Sequence, residues 1–156
     1  MLSFSDPAAL RLEPPARRFW TLAVLLALRE KATRVEVRFG DGDALLYHRS
    51  GGRDWELAAV DEELFPELKP ALREAARLVA PERPGTTVMA GLPDGRVEPQ
   101  EIGWLTFSLD QRLIDLPVRV DPREPYGFVQ IDVEYPEEAE LSGLAGQALD
   151  GYYGAD

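Results

Sequence analysis

The chain has 156 residues, no cysteine, and 28 acidic against 17 basic side chains, for a formal charge of −11. That length suits one domain with a real core, and 45% apolar residues rule out disorder of the whole. Zero cysteines exclude a disulfide framework and thiolate metal sites, and the charge speaks against the basic surface that nucleic acid or an anionic membrane requires.

Residues 1–15 carry three prolines and no periodicity, so they read as an N-terminal arm. From Ala16 to Lys31 the pattern is helical: Phe19, Ala23, Leu26 and Glu30 lie on one line, and Leu22, Leu25 and Leu28 widen the stripe. The apolar run Leu22–Leu28 is far short of the ~20 residues of a membrane span. Its place after Arg17-Arg18 imitates a signal peptide, but Arg29-Glu30-Lys31 stands where a cleavage site should be. A cytoplasmic location is expected, with a signal peptide as the alternative. Val35, Val37 and Phe39 alternate with Arg34, Glu36 and Arg38 as a half-buried strand. Gly40-Asp41-Gly42-Asp43 turns into a second strand over Ala44–Arg49, and Gly51-Gly52 into a short third around Trp55 and Leu57.

Asp61–Ala80 predicts the second helix, with Asp61 as N-cap and Pro70 bending or splitting it. Residues 81–101 hold four prolines and three glycines, a long loop with a short strand at Thr86–Ala90. Gly103–Val133 is the clearest stretch. Leu105, Phe107 and Leu109 alternate with Thr106 and Ser108, Asp110-Gln111 turns, and Leu113–Val120 runs back before Phe128–Val133 extends again. Glu134, Glu137, Glu138 and Glu140 then crowd together; Leu141–Leu149 suits a short helix, and the end reads as frayed. The expected fold is α+β: an antiparallel sheet of two β-meanders with helices mainly on one face, a PAS-like sandwich. Residues 16–136 form that single domain, and 137–156 an acidic, mobile C-terminal tail.

Little catalytic chemistry is legible. No GxxxxGK[ST] loop exists, and the two lysines, Lys31 and Lys69, do not follow glycines. Asp41 and Asp43 are too few oxygen ligands for a divalent cation. His48 is the sole histidine, and within a strand it reads as surface or rim. Ser50 and Ser108 lack a nucleophile elbow and a base. No enzyme, cofactor or metal is therefore expected. The residues singled out for structure or interaction are Arg112 and Asp115, expected to pair across or along the sheet, and Trp55, Trp104 and Tyr126, read as core or as the lining of a ligand pocket.

Leu22–Arg38 resembles the opening of the second amino-terminal domain of type II secretion and type IV pilus assembly ATPases, where a helix precedes an A-S-D-I-H-hydrophobic-E strand. Ala32-Thr33, Val35 and Val37 fit that frame, while Arg34 and Glu36 stand where the family has Asp and His. Ala44–Gly51 with Trp55 resembles the next hairpin, and Leu68–Val79 the helix after it. In Gly103–Val133, the residues Gly103, Arg112, Ile114, Asp115, Val118, Pro122 and Gly127 match the family's G-R-(strand)-G-G-R-x-V-D-x-R-V-S-x-x-P-x-x-x-G-(strand). Asp94-Gly95-Arg96 also looks like the family's Asp-Gly-Arg, given an insertion. Two family arginines implicated in sensing nucleotide correspond to Trp104 and Pro117, and no RecA-like ATPase sequence follows Val133. The resemblance implies a non-catalytic accessory domain that docks a protein partner, such as a secretion or pilus ATPase or an assembly component, with a linker starting in the tail. A small-ligand sensor of PAS-like architecture is the alternative.

Overall fold

Three tight turns organise the strands: Asp41-Gly42, Gly51-Gly52 and Asp110-Gln111. Asp110 and Gln111 both take left-handed backbone, φ 51° and 66°, the pairing of conformations that matches the twist of a two-residue hairpin. The computed structural model describes residues 1–79, 88–91, 97–134 and 138–154. Its elements are β1 (Leu2–Phe4), α1 (Pro7–Leu12), α2 (Pro15–Glu30), β2 (Arg34–Gly40), β3 (Asp43–Ser50), β4 (Arg53–Ala59), α3 (Phe65–Ala75), β5 (Arg77–Val79), β6 (Val88–Gly91), β7 (Val97–Leu109), β8 (Arg112–Val120), β9 (Gly127–Asp132) and α4 (Glu138–Gly154).

The strands lie in the order β1-β7-β8-β9-β2-β3-β4, with β5 and β6 also paired to β7. The β2–β9 pairing, Val35 opposite Ile131 and Val37 opposite Val129, joins the two antiparallel sets. β1 runs parallel to β7, so the sheet is mixed rather than purely antiparallel. The chain is α+β. One sheet face presents Val35, Val37, Leu46, Leu105, Phe107, Leu116, Val118, Val129 and Ile131, which close a single core with Trp20, Val24, Leu25 and Leu28 of α2. The alternate residues, among them Arg34, Arg49, Trp104, Asp115 and Arg119, look out from the opposite face. Leu105 and Phe107 are fully buried and Leu109 is nearly so, as their alternation with Thr106 and Ser108 predicts.

The structure differs from the sequence reading at several elements. Residues 1–15 contain β1 and α1, with Leu2 and Leu10 buried and Asp6 capping α1 through the Ala9 N–H. In α2 the expected Ala23, Leu25 and Leu28 are buried, together with Trp20, Val24 and Ala27, whereas Phe19, Leu22 and Leu26 are only half-buried. Both stripes carry large apolar residues, so periodicity alone does not set the phase. Trp20 donates its indole N–H to the Leu68 carbonyl at 2.9 Å, which fixes α2 against α3. Helix α3 continues through Pro70; Pro66 occupies its first turn, and Asp61 makes no side-chain cap. β7 begins at Val97, eight residues ahead of Leu105, inside the expected loop. It buries Glu101 because Arg73 of α3 meets that carboxylate at 2.6 Å. Gly103 is required there: a Cβ would stand 1.7 Å from the Arg77 carbonyl oxygen of β5. The segment read as a mobile tail holds α4, whose Leu141, Ala145, Ala148 and Leu149 are buried against the core. Asp94-Gly95-Arg96 lies outside the described residues.

Candidate functional site

The five residues singled out from the sequence lie in four separate places. Arg112 pairs with Glu140 at the start of α4. Asp115, three residues on in the same strand, points to the opposite face and accepts the Thr106 hydroxyl at 2.6 Å. The expected Arg112–Asp115 pairing is corrected by that parity. Tyr126 donates its hydroxyl to Asp41 at 2.6 Å, tying the β8–β9 connection to the β2–β3 turn; sharing that proton with a carboxylate pushes the phenol's pKa up. Trp55 lies on β4, with its N–H on the Ser50 carbonyl and the Arg53 guanidinium over the ring. Trp104 and Pro117 face each other across β7 and β8. Trp55, Trp104 and Tyr126 thus lie apart, and of the hollows described below only those beside Trp104 are lined by any of the three.

Two hollows, about 440 and 500 Å³, flank the half-exposed Trp104 ring on the outer sheet face. The charged groups around them compensate one another. Arg34 meets Asp132 at 3.0 Å, Arg49 meets Asp54 at 3.2 Å, and Arg38 bridges Glu36 and Asp54 while stacking on Tyr47. The exposed pairs among these contribute ~0–1 kcal/mol each, while the Glu36 carboxylate is buried beside Arg38 and Gln130. They make a solvated polar face without a net demand for an ionic ligand. Their geometry does hold Asp54: the two guanidinium groups lower its pKa, although burial pushes the other way.

Among the buried ionisable groups, Lys69 and His48 serve the fold. Lys69, fully enclosed in α3, donates to the carbonyls of Arg123 and Tyr126 at 2.5 and 2.7 Å and lies over the Phe39 ring. It pins the β8–β9 connection, and burial lowers its pKa against the pull of Glu124 and Asp121. With its N–H groups on main-chain oxygens, the amine is not presented to a substrate. His48 faces inward from β3 and is 4% exposed, contrary to the surface reading; its Nε2 has no hydrogen-bond partner among the described residues. Burial lowers its pKa below 6.5, with the Ala23 carbonyl and Glu30 pulling upward. The unfolded chain thus takes this proton first as the solution is acidified. Stability from neutral His48 is complete above pH 6.5 and is lost as pH falls from there toward the lower folded-state pKa. His48→Gln should remove this contribution, so wild type should lose up to about 1.4 kcal/mol more per pH unit below 6.5 than the variant. Urea unfolding of both chains from pH 7.5 to 5 measures the difference; parallel curves would show that His48 does not titrate on unfolding.

The unpartnered apolar surface lies elsewhere. β4 is the edge strand, all seven of its residues are exposed, and Trp55 and Leu57 leave about half their surface in solvent. The β3–β4 register shifts between Leu46 and Tyr47, leaving Leu57 at an irregularity in the ladder. Beyond β3, Leu46 forms one wall of an apolar hollow of about 210 Å³ with Phe19, Leu22 and Leu26 of α2 and Leu149 and Tyr153 of α4. A second hollow, about 580 Å³, shares Phe19 and Leu22 and is bordered by Asp61, Glu63, Leu64 and Glu67. The sequence singles out Trp55 of this surface but not the α2 side of it, because the Phe19–Leu22–Leu26 spacing reads as core.

No cluster of three or more metal-ligating side chains occurs among the described residues, and no helix among them is long and apolar enough to cross a membrane. No protein-family model matches the chain, and no curated protein is significantly similar to it.

Proposed function

We propose that this chain is a non-catalytic interaction domain, of the kind that precedes the catalytic domain in secretion and pilus-assembly ATPases, and that it docks a partner protein along the β4 edge. The observation that carries the reading is β4 itself. Its seven residues are uncovered on both faces, and two of them are Trp55 and Leu57. An edge strand exposing apolar side chains is a template for a second chain, because its outer N–H and C=O groups can extend the ladder. The charge of −11 favours a basic partner surface and speeds encounter at low salt.

Calorimetric titration with a purified secretion or pilus-assembly ATPase tests the proposal. Saturable binding is expected, weakened at least about tenfold by Leu57→Lys, which sets an ammonium group on the edge. Binding that ignores Leu57→Lys would move the interface away from β4, and no binding would remove the ATPase relationship. A companion result is expected for nucleotide: the 156-residue chain should show no ATP turnover and no ATP affinity. Lys69 is committed to carbonyls, and Trp104 and Pro117 stand where the resembling domains carry arginines. Micromolar, saturable ATP binding by calorimetry would overturn this.

A further inference from the structure

The α2 groove has a chemistry of its own. Phe19, Leu22 and Leu26 follow one another at helical spacing along the half-buried side of α2, with Arg29 one turn further. These residues form a ridge of the kind against which a second helix packs. Toward the other end the groove meets Asp61, Glu63 and Glu67, three exposed carboxylates with no ion pair among the described residues. Arg18, the basic residue beside them, donates to the Arg11 carbonyl. The groove is therefore apolar along its floor and anionic at its α3 end, while at the other end Arg29 is paired with Glu30 at 2.9 Å.

We propose that this groove receives an amphipathic helix of a partner protein, apolar on the face set against Phe19, Leu22 and Leu26 and bearing Lys or Arg where it meets Asp61, Glu63 and Glu67. An apolar ridge asks for an apolar face, and unpaired carboxylates at its end gain from cations that neutralise them as water is excluded. A second copy of this chain fits poorly, because each copy brings a further charge of −11 to the same acidic rim. α2 spans 16 residues. At 1.5 Å per residue that is about 24 Å, so four or five turns of partner helix suffice. This inference rests on the reading of the chain as a docking domain but uses a different surface from β4.

The test uses a fluorescein-labelled synthetic helix of about 18 residues, with leucines at i, i+3, i+4 and i+7 and lysines on its other faces, and a twin with glutamate for lysine. Fluorescence anisotropy with the full chain should show saturable binding of the lysine helix, at least about tenfold tighter than its twin. Glu63→Lys with Glu67→Lys should weaken it by a similar factor. Asp115→Lys with Glu134→Lys makes the same charge change on the outer sheet face and should leave affinity within about twofold, since distant exposed charges are screened. Methyl NMR shifts should gather on Leu22 and Leu26. Equal losses from both charge-reversal pairs would reduce the effect to net charge and overturn the proposal. So would absence of saturable binding, or shifts elsewhere. Because the peptide carries no ATPase sequence, a failed ATPase titration and a failed groove are read separately; Leu57→Lys should leave peptide binding unchanged.

Discussion

A chain ended at residue 136 should lose most of its stability. Leu141, Ala145, Ala148 and Leu149 of α4 are buried, and Leu144 packs against the same core. Burying a leucine contributes about 1.5–3 kcal/mol, so two leucines with their alanine neighbours are worth roughly 5 kcal/mol. Removing the helix also uncovers the side of α2 that it covers and deletes the Ser142 hydroxyl donated to the Arg29 carbonyl. At about 2–4 °C per kcal/mol for a chain of this length, the thermal midpoint should fall by more than roughly 10 °C. Circular dichroism melts of the 1–136 and full-length chains decide this. A midpoint within about 4 °C of the full chain would mean that α4 is an appendage and that the packing of Leu141 and Leu149 contributes little.

The misreading of α4 shows where sequence patterns stop being sufficient. Four glutamates lie within Glu134–Glu140, and Gly143, Gly146, Gly151 and Gly154 follow. Each interior glycine costs a helix about 1 kcal/mol relative to alanine, so local terms argue for a mobile tail. Leu141, Leu144, Ala145, Ala148 and Leu149 nevertheless repeat at helical spacing, and tertiary burial of that stripe outweighs propensity. In α2 the difficulty is reversed: leucine on two stripes leaves the phase open, and the core takes the stripe of Trp20 rather than that of Phe19.

Lys69 could not be read from the sequence at all. Its partners, Arg123 and Tyr126, lie more than fifty residues along the chain, and only the folded β8–β9 connection brings them together. The exposure of Trp55 has the same origin. β4 is an edge because it pairs with β3 on one side and with no strand among the described residues on the other, which topology sets rather than anything in residues 53–59. The hairpins, by contrast, were legible. Asp41-Gly42, Gly51-Gly52 and Asp110-Gln111 are turn chemistry, and the alternation beside them fixes which residues face inward.

That alternation is most sharply testable at Phe107 and its neighbour. Phe107 is fully buried between Leu2 of β1 and Ile114 of β8, its direct partners on either side. Removing its ring in Phe107→Ala leaves a void bordered by strands that cannot collapse inward without breaking their ladders. The expected cost is about 3–5 kcal/mol. Thr106 looks out from the other face and gives its hydroxyl to Asp115 in an exposed hydrogen bond. Thr106→Ala should cost under about 1 kcal/mol, since water takes the place of the deleted hydroxyl at the exposed Asp115 carboxylate. Urea unfolding of the two variants should give well-separated midpoints at similar slopes. Comparable midpoints would put Phe107 and Thr106 in equivalent environments. Midpoints in the reverse order would mean a slip of one residue in β7, turning Trp104 and Thr106 inward and Phe107 to solvent.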